Sequence, residues 1–472
     1  MIAGAGAPLL LRAPPFPWVD QAVAAVSMPG RSHLQEPDRL FAAMRDSGVG
    51  GAFWRNDLAG DDAHEDAVLR WISGAPGEPD RRAEAIAAIE SATYRNPFTN
   101  AACDAHEAVR ILADWAETLW ANRRIIGAVG MSGWKREAIG RFLWDGQRAP
   151  PFLTADQALK TVRPGDAIAY WPSRAPAEFG DQVSARGGIA WQVEDGFIRS
   201  AGLGAECRPP WSIIVDRLGG IHYDPRQESE VERLLATHDF DAPLLARAAA
   251  LRAQIVDARL CKYGVDEGAL DADLPVGKRI VLVIGQVADD LSVVRSGDGG
   301  MDDLLRRVRA CEPDAFIVYR PHPDVIAGLR NGTVPGAGEA DLISAGGSLL
   351  ALLERVDAVH VLSSLTGFEA LLRGVPVTVH GAPFYAGWGL TRDLGPVPPR
   401  RGRHLSLDAL VAAALILAPR YCDPETSLPC PPEVLVERLA KSGKPTYNAV
   451  TGFRRVYGAA RAAGRLMTRG RR

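Results

Sequence analysis

Residues Ser363–Thr391 read SSLTGFEALLRGVPVTVHGAPFYAGWGLT and directly follow the apolar run DAVHVL at 357–362. That run is short, rich in β-branched residues and does not alternate with polar residues, as expected of a strand buried on both faces. Small and hydroxyl-bearing residues come next, then ALLR, then Gly374. Thr366-x-x-Glu369 has the spacing of a capping box, and Gly374 stands where a helix C′ residue belongs. Ser363, Ser364, Thr366 and Gly367 are therefore expected on a strand-to-helix turn at the carboxyl edge of a sheet. Unpaired N–H groups and the positive helix end favour an anion there, most often phosphate; an ordinary N-cap is the alternative. Glu369 either caps its own helix or accepts hydrogen bonds from a ribose diol in a cleft. After the next strand, VPVTVHG, the loop GAPFYAGWG cannot be regular structure. Its Phe384, Tyr385 and Trp388 either wall a ligand or plug the core beneath the turn.

The same alternation of short apolar strands with helices of 10–15 residues extends over about 278–400 and recurs over about 124–222. It predicts an α/β protein of two Rossmann-like halves with a cleft between them, joined by the helical stretch 228–260. In that stretch a break is expected near Asp241. WSIIVDRLGGIHYDP at 211–225 reads as a hairpin. The expected division is a mainly helical region over 1–120, one half over 121–260, a nucleotide-binding half over 261–445 and a basic tail over 446–472.

Two more strand ends carry chemistry. VYRPHPD at 318–324 leaves a strand through Arg320, Pro321, His322 and Pro323, and the prolines forbid further ladder bonds. A stiffly held His322 beside Arg320 suits phosphate binding or proton donation. GQVADDLS at 285–292 adds Gln286 and Asp289 to the same rim. In the other half, QVEDGFIRSAGLG at 192–204 ends a strand in Glu194 and Asp195. Adjacent strand residues point to opposite faces, so at most one of the two carboxylates faces the cleft. A carboxylate across from a phosphate site suits a nucleophile or a general base. The planar fork of Arg199 matches the carboxylate of an acidic sugar.

Composition narrows the classes. The chain has 472 residues and a formal charge of −3, which gives no global attraction to nucleic acid. Its six cysteines form no C-x-x-C pair, and a reducing, cytoplasmic setting is expected. The first residues make a poor secretory leader, and no apolar window reaches membrane-spanning length. No protein-bound metal or cofactor is expected. The segment YRNPFTNAAC at 94–103 repeats as YCDPETSLPC at 421–430, with Tyr, Pro, Thr and Cys coinciding. That repeat suggests the tail of one module followed by a complete second one. The last residues, TGFRRVYGAARAAGRLMTRGRR, carry seven arginines and no acid. They read as a basic amphipathic helix for an anionic inner-membrane surface.

Together, SSLTGFEALLRGVPVTVHGAPFYAGWGLT, YRPHPD, GQVADDLS, EDGFIRSAGLG and VGMSGWKR resemble the capsular polysaccharide biosynthesis family of Gram-negative bacteria, KpsC/LipA type. The similarity runs from about Ile125 to Cys430. It implies a GT-B-like fold and a retaining transferase that moves β-Kdo from CMP-Kdo to a Kdo-bearing phosphatidylglycerol-type lipid, beside capsule assembly and export proteins. Family members carry two transferase modules in tandem; this chain lacks the body of the first. The resemblance implies Asp195 as nucleophile and His322 as a catalytic phosphate-holding group. It also implies donor or acceptor contacts at Glu194, Arg199, Gln286, Asp289, Arg320, Ser363, Ser364, Thr366, Gly367 and Glu369. Two other readings follow from the same residues: a non-catalytic capsule assembly or export factor that binds lipid-linked oligo-Kdo, or a GT-B enzyme using another activated sugar.

Overall fold

The structure is a computed structural model, and it describes residues 10–55, 63–200, 208–262, 264–295, 301–326, 330, 332 and 340–442. The basic tail expected over 446–472 lies outside them. Among the described residues the first elements are a short helix Gln21–Ala24, strand β1 (Ser27–Pro29), helices Pro37–Ser47, Ala63–Ile72 and Arg82–Glu90, and the hairpin β2 (Ala92–Arg95) and β3 (Ala102–Cys103). β1 pairs antiparallel with β2, so a small sheet accompanies the expected helices. Helix Ala105–Asn122 closes this unit, started by the Asp104 side chain accepting the Glu107 N–H. Its apolar stripe, including Leu112, Trp115 and Leu119, is buried with Phe16 and Leu40.

The first large sheet contains β4 (Ile125–Val129), β5 (Phe152–Leu153), β6 (Ala167–Tyr170), β7 (Ile189–Asp195) and β8 (Ser212–Asp216). Strands β5-β4-β6-β7 are parallel in that order, and β8 lies antiparallel on β7 with Asp195 opposite Ile213. The expected hairpin at 211–225 is thus a correction: WSIIVD forms the single strand β8, and its partners are β7 and a strand from the far end of the chain. The residues after Asp216 form turns, because Gly219 and Gly220 interrupt the apolar pattern. Helices Glu230–Thr237 and Ala242–Asp257 follow, with the expected break at Asp241, whose side chain caps the second helix.

After the short pair β9 (Leu260–Cys261) and β10 (Gly264–Val265) comes an all-parallel sheet. It contains β11 (Ile280–Ile284), β12 (Phe316–Arg320), β13 (Leu342–Ile343), β14 (Ala358–Val361), β15 (Val377–Val379) and β16 (Arg392–Asp393). β11 and β14 are buried at every position, which is why neither alternates apolar with exposed polar residues, His360 being the one polar side chain in them. The order β13-β12-β11-β14-β15-β16 reverses direction between β11 and β14. In open α/β sheets ligands bind outside the carboxyl ends at such a switch point.

The chain then crosses back. β17 (Pro419–Cys422) pairs antiparallel with β8, and β18 (Pro429–Cys430) pairs with β17. The span expected for the second half, 261–445, therefore ends by completing the first sheet. The sequence repeat is a repeat of structure. Tyr94 pairs with Cys103 as Tyr421 pairs with Cys430, and Ser27 faces Tyr94 as Ser212 faces Tyr421. The Tyr94 hydroxyl donates to the Ile89 carbonyl at 2.8 Å, and that of Tyr421 to Leu415 at 2.7 Å. Asn96 and Asp423 each accept backbone N–H groups of their own turn, and Asn100 and Ser427 take φ of 59° and 60°.

The two large sheets are welded by apolar contact. Phe197, just past β7, stacks on Phe384 with ring centroids 4.5 Å apart, and both rings touch Phe368. Arg401 donates to Glu232 at 2.8 Å, a buried pair whose guanidinium also reaches the Pro383 carbonyl.

Candidate active site

The strand-to-helix turn after β14 sits at the switch point of the second sheet. Gln286, just past β11, reaches across it: its Oε1 accepts the Ser363 N–H at 2.9 Å and its Nε2 donates to Ser363 Oγ at 3.0 Å. Ser363 Oγ in turn donates to the Ser292 carbonyl. Ser364 is the N-cap of helix Leu365–Leu372, accepting the Thr366 N–H at 3.2 Å. The capping box expected of Thr366 and Glu369 is therefore corrected. Cap duty falls two residues earlier, and Glu369 is buried and accepts the Lys262 N–H at 2.8 Å instead. Gly367 also has a different cause from close approach to a ligand: a Cβ there would lie 2.2 Å from the Tyr385 hydroxyl. Gly374 does end the helix, with φ of 73°. Thr366 keeps a hydroxyl that makes no hydrogen bond among the described residues.

Phe384, Tyr385 and Trp388 are all buried, so the GAPFYAGWG loop plugs the core rather than walling a ligand. Tyr385 donates to the Ser364 carbonyl and fixes the turn from below.

At the end of β12, His322 Nδ1 accepts the Asp324 N–H at 3.1 Å, which leaves its proton on Nε2. Burial, with Lys262 nearby, holds the imidazole below its ordinary pKa, so it is a neutral N–H donor at pH 7. Arg320 does not stay free for a substrate: it donates to the Gly346 and Gly347 carbonyls at 2.8 and 2.7 Å and braces that loop. Asp289 stands exposed on the rim, 3.3 Å from Arg330.

In the first sheet Asp195 is held between two cations. Lys135 Nζ lies 2.9 Å from its Oδ1 and Arg199 Nε 2.7 Å from its Oδ2. Burial alone would raise this carboxyl, but Arg199 and Lys135 outweigh it and hold Asp195 below the usual carboxylate range. Lys135 was missed in the sequence reading, although VGMSGWKR contains it. Its loop leaves β4 at the switch point between β4 and β6, and its Nζ lies 3.5 Å from the centre of the Trp171 ring just past β6. The available signal was a lone lysine in a Gly/Ser turn after an apolar strand. Arg199, expected to meet an acidic sugar, is instead internal: 1% exposed, it also donates to Ser200 and to the Arg208 carbonyl.

Glu194 behaves oppositely. Burial first, then the charge of Asp195, pushes its carboxyl up to about 7. Its Oε1 accepts the Asp195 N–H at 3.0 Å, and Lys262 and Tyr223 lie within its electrostatic reach. Tyr223 Oη and His222 Nδ1 are buried with no partner among the described residues. Lys262 joins the two rims: its carbonyl accepts the Arg199 N–H, its N–H goes to Glu369, and its charge acts on both Glu194 and His322. Gly196 makes the corner after Asp195 possible, since a Cβ there would lie 2.1 Å from Ser212 Oγ.

An ionised aspartate and a titratable glutamate thus stand on one carboxyl edge, a neutral imidazole and a hydroxyl-lined helix start on the other, and Lys262 acts on both. These features define an α/β protein of GT-B-like architecture.

The comparisons agree. Residues 249–421 match the family model described as capsule polysaccharide biosynthesis protein. The capsule polysaccharide modification protein LipA of Neisseria meningitidis serogroup B is 37% identical over 353 residues, 72% of this chain and 49% of that protein. The lipopolysaccharide-processing protein LpsZ of Rhizobium meliloti is 36% identical over 363 residues, 73% of this chain and 80% of that protein. The solved Thermosulfurimonas dismutans KpsC β-Kdo 2,4 transferase superposes with a TM-score of 0.59 at 30% identity, covering 67% of this chain and 98% of that one. The β-Kdo 2,7 transferase from the same organism gives 0.54 at 31%, covering 68% and 99%. The chain spans about half the length of the meningococcal relatives it matches. It belongs to the capsule polysaccharide biosynthesis family of the KpsC/LipA type.

Proposed function

We propose that the chain is a glycosyltransferase that moves β-Kdo with retention from CMP-Kdo to a Kdo-bearing lipid acceptor of capsule assembly. The observation that carries this reading is the pair of carboxylates at the end of β7, one kept ionised by Lys135 and Arg199, the other raised to about 7. An Asp195 oxygen attacks the anomeric carbon of the donor, the bond to the CMP phosphate breaks, and its electron pair leaves on the phosphate. The His322 N–H and the helix start at Ser364–Thr366 stabilise the charge gathering there. In the second step an acceptor hydroxyl attacks the anomeric carbon from the face that CMP has left, the bond to Asp195 breaks with its electron pair returning to the carboxylate, and ionised Glu194 takes the hydroxyl proton. Two inversions give net retention. The named activities of the two KpsC structures support the sugar, and Gln286 and Lys262 serve to position the turn and the rims.

The test is direct. The protein is incubated with CMP-Kdo and a synthetic Kdo-terminated acceptor. CMP release with an acceptor heavier by one Kdo is expected, and a Kdo adduct should be found on the peptide containing Asp195. Donor binding without CMP release would replace this reading with a non-catalytic glycan-binding role. Turnover with a different activated sugar alone would change the substrate.

A further inference from the structure

A cavity of about 590 Å³ lies outside the cleft, between the N-terminal unit, the first sheet and the returning strands β17 and β18. Neither Glu194, Asp195, His322 nor Ser363 lines it. Its volume is that of a site for a small organic ligand. Six arginines and three carboxylates contribute to its walls. Four of the arginines are matched by carboxylates, as in Arg217 with Glu230 at 2.6 Å and Arg247 with Glu433 at 2.7 Å. Of the other two, Arg110 is exposed and Arg420 lies on β17. It donates to Asn122 Oδ1 at 2.7 Å and to the Phe142 carbonyl, and it meets no carboxylate among the described residues. Burial and the neighbouring Arg217 lower it to about 10 although Glu230 and Glu117 act on it from further off, so the wall carries a cation with no carboxylate in direct contact among the described residues. A second unmet group lines the same cavity. Trp144 is 3% exposed, and its indole N–H has no acceptor among the described residues. Further back along the helix Ala105–Asn122, whose last residue accepts from Arg420, the exposed Asp114 and Glu117 also line the cavity.

We propose that this cavity binds a segment of a carboxylated saccharide away from the transfer site. The Arg420 fork and the Trp144 N–H take the carboxylate, and Asp114 and Glu117 accept from the hydroxyls. A ligand with only anionic groups leaves those two acids opposed, and a neutral sugar leaves Arg420 without a carboxylate in contact; an acidic sugar satisfies both kinds of group. The identity of the sugar rests on the transferase reading above. The site then holds the already built part of an acidic chain while its end is extended in the cleft.

The probe is a synthetic Kdo disaccharide glycoside, titrated calorimetrically into the full chain alongside its methyl ester and CMP. Binding of the free acid is expected to persist in His322→Ala and to weaken at least tenfold in Arg420→Gln, and the ester should bind at least tenfold more weakly. Should Arg420→Gln fail to fold, the doubly substituted Asp114→Ala/Glu117→Ala chain, altered at two exposed wall residues that accept from the sugar hydroxyls, should weaken binding about fivefold. Equal binding of the ester, loss of all binding in His322→Ala with Arg420→Gln unaffected, or competition by CMP at this site would overturn the proposal. Turnover of CMP-Kdo is measured in parallel. Arg420-dependent binding without turnover would remove the transferase reading and leave this site standing, and turnover without such binding would remove the site alone.

Discussion

Asparagine in place of Asp195 keeps the shape of the side chain and removes its charge, which isolates what the charge does. In the native protein Lys135 and Arg199 each lie within 3 Å of an Asp195 oxygen. At an effective dielectric of about 20, each pair attracts by about 6 kcal/mol before desolvation is subtracted. The side chain of Arg199 is 1% exposed and that of Lys135 9%, so neither cation can reach water once the anion is gone. Removing one member of such a buried set typically costs about 3–5 kcal/mol. Asp195→Asn is therefore expected to lose stability of that order as well as transfer. Lys135→Met should cost less, about 1–2 kcal/mol, because Asp195 keeps Arg199. The Asp195→Asn/Lys135→Met pair should be at least about 1 kcal/mol more stable than the sum of the single losses, since the second substitution removes one of two opposed cations. Urea unfolding followed by tryptophan fluorescence at pH 7 measures all three. The sign with pH follows from the lowered Asp195 carboxyl. Its contribution is complete above the unfolded value and fades as pH falls through the folded one, so Asp195→Asn should flatten the acid limb. An Asp195→Asn protein that unfolds at the wild-type midpoint, or strictly additive losses, would refute the argument that this carboxylate is held by its two cations.

Glu194 carries the opposite sign: its carboxyl is raised from 4.5 to about 7, so the native state holds a proton that the unfolded chain has released. Its contribution to stability should fall as pH rises across that window, and Glu194→Gln should reduce the fall in the urea midpoint between pH 5 and 8, leaving the part due to Asp216, also raised to about 7. Gly367→Ala drives a methyl against the buried Tyr385 hydroxyl and should cost about 1–3 kcal/mol, read as a lowered Tm; an unchanged Tm would show that Tyr385 moves freely. Phe384→Ala empties the stack between the two sheets and should cost about 3–5 kcal/mol, with limited proteolysis opening the cleft loops first. Tyr94→Phe and Tyr421→Phe remove equivalent hydrogen bonds from the two hairpins and should cost about 1 kcal/mol each; a large inequality in unfolding free energy would mean the copies are held differently.

Much of the fold was legible because its signals are local. The apolar strand β11, the strand β14 with its single His360, the cap at Asp241, the helix end at Gly374 and the duplicated hairpin each depend on neighbours in the chain. The site was legible only in outline. Asp195, His322 and Ser363 stand at carboxyl strand ends as their turns required. Their partners come from 60 residues away for Lys135 and 77 for Gln286, and no local pattern announces such pairings. Arg199 and Arg320 looked like ligand-binding forks because an arginine's burial cannot be read from its neighbours; folding spends both on the protein's own carboxylate and carbonyls.

The sequence by itself determined two runs of parallel strands, the turns at their carboxyl ends and the kinship of two hairpins, since hydrophobic periodicity and turn chemistry act over a few residues. Tertiary structure alone decided which carboxylate is ionised, which arginines are internal, that the final strands return to the first sheet, and that a cationic cavity opens beside them. Those outcomes depend on desolvation and on charges brought together from distant parts of the chain, and neither quantity exists until the chain has folded.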